Sequence, residues 1–274
     1  MFSVKDLDFS YGDHEVLKGI SFDAEPNTIV SILGPNGTGK STFFKCVCKV
    51  LKPNRGEVYV DGINILDLKG KELSKRIGYV PQTVPPSRIS VFDAVLLGRK
   101  PYIDFTATRN DIRKVSEVID ALGLSALSLH YLDEISGGEF QKVQIARAIV
   151  QEPSVLILDE PTSNLDISNQ HRTMHMIEDA VRSKGMCTIM TMHDINLAVH
   201  YSDRFLFFKD GKVEAYGGPE VITADLIRKV YGIDTSVVMH KGVPFVIPEH
   251  SSKYHIDDHD IHDHLLDKDY ETVG

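Results

Sequence analysis

Nine consecutive residues restrict this chain more than any others. Gly34-Pro35-Asn36-Gly37-Thr38-Gly39-Lys40-Ser41-Thr42 fits the pattern G-x-x-x-x-G-K-[ST]. Before it, Thr28-Ile29-Val30-Ser31-Ile32-Leu33 is apolar and β-branched, which predicts a buried strand. After it, Lys40 to Lys45 predicts a helix. A strand, a glycine-rich turn and a helix in that order make a phosphate cradle. The glycines let the backbone turn tightly and aim its N–H groups at phosphate oxygens. The helix N-terminus adds partial positive charge. Lys40 would reach the terminal phosphates and the Ser41 hydroxyl would hold Mg²⁺. Asn36, Gly37, Thr38, Gly39 and Thr42 complete the candidate nucleotide contacts. The plain alternative is an ordinary glycine-rich turn. The pattern arises by chance in roughly 1% of chains this long, and the strand and helix around it lower that further.

A second signature lies more than a hundred residues on. Val155-Leu156-Ile157-Leu158 is continuously apolar, as in a central parallel strand covered on both faces. Asp159 and Glu160 follow at once. Asp159 would help to hold Mg²⁺, and Glu160 would orient or deprotonate an attacking water. Alone, an apolar strand ending in two acids is more often a strand cap. Beside a phosphate loop both carboxylates fall at the carboxyl edge of the sheet, where open α/β sheets bind ligands.

Ser136-Gly137-Gly138-Glu139 reads first as a capping box, with Ser at the N-cap and Glu three residues later. A capping box needs no glycines, and two in a first turn cost helix stability. They leave bare N–H groups at a positive helix end, which is a second anion site.

With these motifs in place, the chain resembles the nucleotide-binding subunits of ABC transporters over about residues 1 to 248. The resemblance implies a homodimer packed head to tail, with ATP and Mg²⁺ between the phosphate loop of one copy and Ser136-Gly137-Gly138-Glu139 of the other. It further implies that Tyr11 stacks on adenine and that Gln82 touches Mg²⁺ or water and links to a membrane partner. Asp166 would communicate across the dimer, and His193 would sit near the γ-phosphate. Taken singly, each of these four types is more often packed or solvated; their order around the two strong motifs carries the inference. The catalytic set is then Glu160, His193, Gln82 and Lys40, with Ser41, Gln82 and Asp159 as Mg²⁺ ligands. Two positions depart from the family pattern: Ile135 stands where Leu is usual, and Glu139 where Gln is usual. Glu139 adds negative charge near phosphate.

The implied fold is α/β. A P-loop NTPase core, mainly parallel sheet flanked by helices, carries a small antiparallel β lobe and an inserted helical lobe over about residues 84–150. Alternating patterns in Ser3–Phe9, Ile20–Ala24 and Gly56–Gly62 predict the antiparallel strands. Ser90 predicts the N-cap of a helix from Val91 to Arg99. Thr108 with Asp111 starts another, with Ile112, Val115, Ile119 and Leu122 on one face and Gly123 as its stop.

The net charge of −9 argues against a nucleic-acid partner. Residues 249–274 hold eight acids against two lysines, so six of the nine charges lie in this tail. Its five histidines, His250, His255, His259, His262 and His264, could bind a transition metal, but a disordered acidic extension is the favoured reading. Three cysteines, Cys46, Cys48 and Cys187, suggest no disulfide framework. No run approaches the roughly 20 apolar residues that span a bilayer, and Met1–Asp6 lacks a signal-peptide pattern. The expected place is therefore the cytoplasmic face of the cell membrane, held there by a partner.

Val95–Pro101 and Val230–Asp234 resemble the importer branch for iron–siderophore, haem or cobalamin. That branch implies a separate polytopic permease, contacted through Gln82–Arg99, and a substrate-binding protein that acts through the permease. The alternatives are the ATPase of a zinc, manganese or molybdate importer, or a soluble non-transport ABC ATPase. A coiled-coil chromosome ATPase is excluded: only 94 residues separate Gly39 from Asp133, with no heptad run.

Overall fold

The computed structural model describes residues 1–85, 87–163 and 165–249. The histidine-rich stretch from His250 onward, with its candidate metal ligands, lies outside the described residues.

Five parallel strands form the centre, in the order β9 (Arg204–Lys209), β3 (Ile29–Leu33), β8 (Cys187–Thr191), β7 (Val155–Leu158) and β6 (Ile77–Val80). β10 (Lys212–Gly217) pairs antiparallel on the β9 edge. The apolar runs are continuous because both faces are covered. Alternate residues feed two cores: Leu156, Leu158, Met190, Phe205 and Phe207 point to one, while Val155, Ile157, Ile189, Leu206 and Phe208 point to the other.

The second core lies under a small antiparallel sheet of β2 (His14–Ala24), β1 (Phe2–Tyr11), β4 (Arg55–Val60) and β5 (Ile63–Asn64). Helix α1 (Lys40–Val47) is clamped between the two sheets by Phe43. That ring meets Phe22, Phe44 and Phe208, with centroids 5.8–5.9 Å apart. Phe43→Ala would cost about 3–5 kcal/mol and loosen the helix that starts at Lys40. β1 and β2 are longer than the sequence pattern predicts, and Tyr11 pairs with His14 at the hairpin end. Exposed His14 and Glu15 carry no alternation; pairing with β1 makes them strand.

The first core is covered by helices. Residues 84–150 contribute α3 (Val91–Leu96), α4 (Arg109–Ala121) and α5 (Gly137–Ile149), whereas α2 (Gly70–Ser74), which precedes β6, packs Leu73 against the second core. The expected caps form: Ser90 accepts from Asp93 N, and Thr108 and Asp111 make a reciprocal box. Two details differ from expectation. The helix begun at Val91 tightens to a 3₁₀ turn over Leu97–Arg99. In α4, Ile112 faces solvent and Val118 takes a core place, because buried Asp111 is drawn inward by Arg99, 3.0 Å away. α6 (Ile167–Lys184), α7 (Ile195–Tyr201) and α8 (Ala224–Tyr231) follow, and β11 (Thr235–His240) pairs with β12 (Val243–Pro248).

Candidate active site

The phosphate loop joins β3 to α1. Gly34 lies so close to β9 that a Cβ would collide with the Phe208 carbonyl oxygen, so only glycine fits there. Gly39 caps α1 at φ 99° with no side-chain bond to the first turn. The first N–H groups of α1 therefore lack a side-chain cap, as an anion cradle requires. Thr38 Oγ1 donates to Pro35 O at 2.9 Å. Lys40 is buried, and its Nζ donates to Gly34 O at 2.6 Å and Pro35 O at 2.8 Å. Burial lowers its pKa below the usual lysine value, against the pull of Glu160 and Asp159. Asn36 and Gly37 form the exposed tip.

Asp159 and Glu160 stand at the end of β7, between the ends of β8 and β6. Asp159 is buried. Its Oδ1 accepts from Thr191 Oγ1 at 2.8 Å and faces Ser41 Oγ at 3.4 Å. Burial pushes its carboxyl above the ordinary range, and the two hydroxyls oppose the shift. Glu160 has φ 53°, a left-handed conformation that costs a non-glycine residue roughly 1–2 kcal/mol. Its N–H donates to Thr191 Oγ1 at 2.8 Å, which helps to hold it there.

The Glu160 carboxylate is gripped from both sides. Gln82 Nε2 donates to Oε2 at 2.5 Å, and His193 Nε2 lies 2.6 Å from Oε1. Gln82 follows β6 and His193 follows β8, so parallel neighbours of β7 deliver both. The fold thus gathers Lys40, Ser41, Gln82, Asp159, Glu160 and His193 at one sheet edge. Sequence reading missed Thr191. A hydroxyl at the end of an otherwise apolar strand, two residues before His193, was the available signal.

Ser136 and Glu139 form the expected box at the start of α5. Ser136 N and Oγ donate to Glu139 Oε2 at 2.9 and 2.7 Å. These bonds hold the Glu139 carboxyl below its usual range. Its charge is turned back over the N-cap, and exposed Gly137 keeps its N–H free of that box. Among the described residues no hydrogen bond joins this turn to the phosphate loop. Asp166 caps α6, accepting from Asn169 N at 2.8 Å. Tyr11 is half exposed and packs edge-on against Phe9, with centroids 4.8 Å apart.

A family model described as ABC transporter matches residues 17–163. This chain belongs to the ABC transporter family. ATP-binding subunits of that family hydrolyse ATP to power transport, so the chain is an ATPase. An uncharacterised ABC transporter ATP-binding protein of Methanocaldococcus jannaschii is 47% identical over 246 residues, 90% of this chain and 97% of that protein. The ferric enterobactin transport ATP-binding protein of Escherichia coli strain K12 is 34% identical over 248 residues, 88% of this chain and 92% of that one. A solved ATP-binding cassette, a dimer in a post-hydrolysis state bound to ADP and Pi, matches with a TM-score of 0.70 at 29% identity. It covers 80% of this chain and 98% of its own.

Proposed function

We propose that the chain is the ATP-hydrolysing subunit of an importer for a metal chelate such as iron–siderophore, haem or cobalamin. It works as a head-to-tail homodimer on the cytoplasmic face of the cell membrane, beneath a separate permease. The observation that carries the hydrolytic half is the Glu160 carboxylate, held between Gln82 and His193 at the edge that also presents Lys40, Ser41 and Asp159. Glu160 accepts a proton from the attacking water; Gln82 and His193 fix its direction. Lys40 binds terminal phosphate oxygens.

Ser41 Oγ and an Asp159 oxygen converge as hard oxygen donors, which fits Mg²⁺. With Gln82 they would hold it, and the bound ion supplies charge neutralisation on the phosphates. Tyr11, half exposed at a strand end, supplies the adenine stack.

The dimer follows from the second anion site. Gly137 and Gly138 offer helix N–H groups, yet among the described residues no hydrogen bond ties them to the phosphate loop of their own chain; a second copy brings them to ATP, with Asp166 at the same seam. The related cassette that is a dimer bound to ADP and Pi supports this.

For the permease contact, the Gln82–Arg99 region needs one correction: Arg99 is 3% exposed and points inward, so it offers no docking surface. An apolar groove of about 340 Å³ lined by Ile89, Leu96, Leu97, Lys100 and Ile103 is available instead. No helix among the described residues is long and apolar enough to cross a membrane, so the path for cargo belongs to the partner. The metal-chelate cargo is supported by the ferric enterobactin relative. Purification from native membranes in detergent tests the reading. A polytopic permease should co-elute, and vesicles holding the complex should take up a metal chelate only with ATP. A chain that elutes alone would favour a soluble ATPase; uptake of free zinc, manganese or molybdate would reassign the cargo.

A further inference from the structure

Lys40 and Arg99 are the two buried cations among the described residues. Lys40 belongs to the phosphate loop; Arg99 touches no part of it. Its Nε donates to Asp111 Oδ1 at 3.0 Å, and its Nη1 donates to Val150 O and Glu152 Oε2, each at 3.0 Å. The guanidinium also lies 4.0 Å from the Tyr102 ring centroid. Tyr102 in turn donates through its hydroxyl to Gln151 O at 3.0 Å. Lys114 of α4 meets the same Glu152 carboxylate at 2.5 Å.

One side chain therefore joins three pieces of backbone: the 3₁₀ turn after α3, the first turn of α4, and the C-terminal end of α5. Gly98 closes the remaining gap, since a Cβ there would collide with Arg147 O of α5. The cation also complements the carbonyl end of α5. Glu152 sits at φ 53°, a conformation that its surroundings must hold.

The placement matters because of what lies at each end. Leu97 and Lys100, which flank Gly98 and Arg99, line the apolar groove assigned above to the permease. α5 has 13 residues, a rod of about 20 Å, and its far end carries Ser136-Gly137-Gly138. We infer that Arg99 is a positioning residue that locks the permease groove to α5. A displacement at the groove then moves the Gly137–Gly138 anion site with it, as one body. The inference rests on the transport reading given under Proposed function. Lysine is a poor substitute, because three acceptors in different directions need the planar fork of a guanidinium.

Two variants test it in the purified complex and in the isolated full chain: Arg99→Met, and Glu152→Gln, whose carboxylate is 40% exposed and whose loss leaves the core filled. The readout is the coupling ratio, the ATPase rate with permease divided by the rate without it, together with chelate uptake in vesicles. Arg99→Met should lower that ratio about tenfold and Glu152→Gln about threefold, within the range seen for residues that transmit coupling. The ATPase rate of the isolated chain should stay within about twofold of wild type. A purely stabilising ion pair would instead lower both rates together, or neither; either result overturns the inference. If Arg99→Met does not fold, Glu152→Gln decides by the same ratio. A wild-type subunit that no permease stimulates would overturn the transport reading and this inference with it. A coupled wild type with both variants equally coupled overturns this inference alone.

Discussion

Replacing Glu160 with glutamine changes one carboxylate oxygen to an amide nitrogen and barely alters volume. In the wild type both oxygens face donors, Gln82 Nε2 at 2.5 Å and His193 Nε2 at 2.6 Å. Glutamine has one acceptor oxygen, so one of those donors must meet an NH₂ group and turn away. The amide also cannot take a proton from water. Loss of a positioned base costs about 10²–10⁴-fold, or roughly 3–5 kcal/mol. The misplaced partner adds roughly 1 kcal/mol. The turnover rate should fall about 10³-fold or more. ATP affinity should stay within about threefold, because Lys40 and the loop backbone carry it. Phosphate release measures turnover, and size exclusion with Mg²⁺ and ATP should show the variant as a long-lived dimer. A rate within about tenfold of wild type would refute Glu160 as the base. Loss of ATP binding would show that the carboxylate serves the nucleotide rather than the water.

Thr191→Val keeps the shape of β8 but removes the donor to Asp159 and the acceptor of Glu160 N. It should lower stability by about 1–3 kcal/mol in denaturant melts and raise the Mg²⁺ concentration needed for half-maximal hydrolysis. Asp159→Asn should do the reverse for stability. Burial raises the Asp159 pKa, so the folded chain holds that proton more tightly than the unfolded chain. Its contribution to stability is therefore fully present below the ordinary carboxylate pKa of the unfolded chain and is lost as pH rises from there through the raised folded value. At neutral pH the nucleotide-free Asn variant should melt higher, by about 1 kcal/mol in stability, and hydrolyse no ATP; a lower melting temperature would contradict the burial argument. Lys40→Ala should abolish ATP binding in a fluorescent-nucleotide titration, and retained affinity would show that the loop backbone suffices. Gly98→Ala should cost about 1–3 kcal/mol by forcing α3 off Arg147, read as a lower melting temperature.

Much was legible before any coordinates because short stretches carry their own physics. The glycine turn before Lys40 needs backbone freedom that few residues have, and an apolar run such as Val155–Leu158 needs cover on both faces. Cap pairs such as Ser136 with Glu139 bond across three residues, so spacing alone reveals them. Other features were hidden because distant segments decide them. Ile112 has the right spacing for a core face, but Asp111 beside it is pulled inward by Arg99, and an ion pair across twelve residues leaves no periodic trace. Arg99 itself looked like a surface residue at the end of a docking helix. Its burial depends on Val150 and Glu152, which lie fifty residues further on. In the same way the sequence by itself marked the groups proposed to handle phosphate, because their chemistry is local. Only the tertiary structure decided that the Glu160 carboxylate lies between Gln82 and His193 with Thr191 beneath it. Those residues sit on or after three different strands, and parallel strands become neighbours only through the whole sheet.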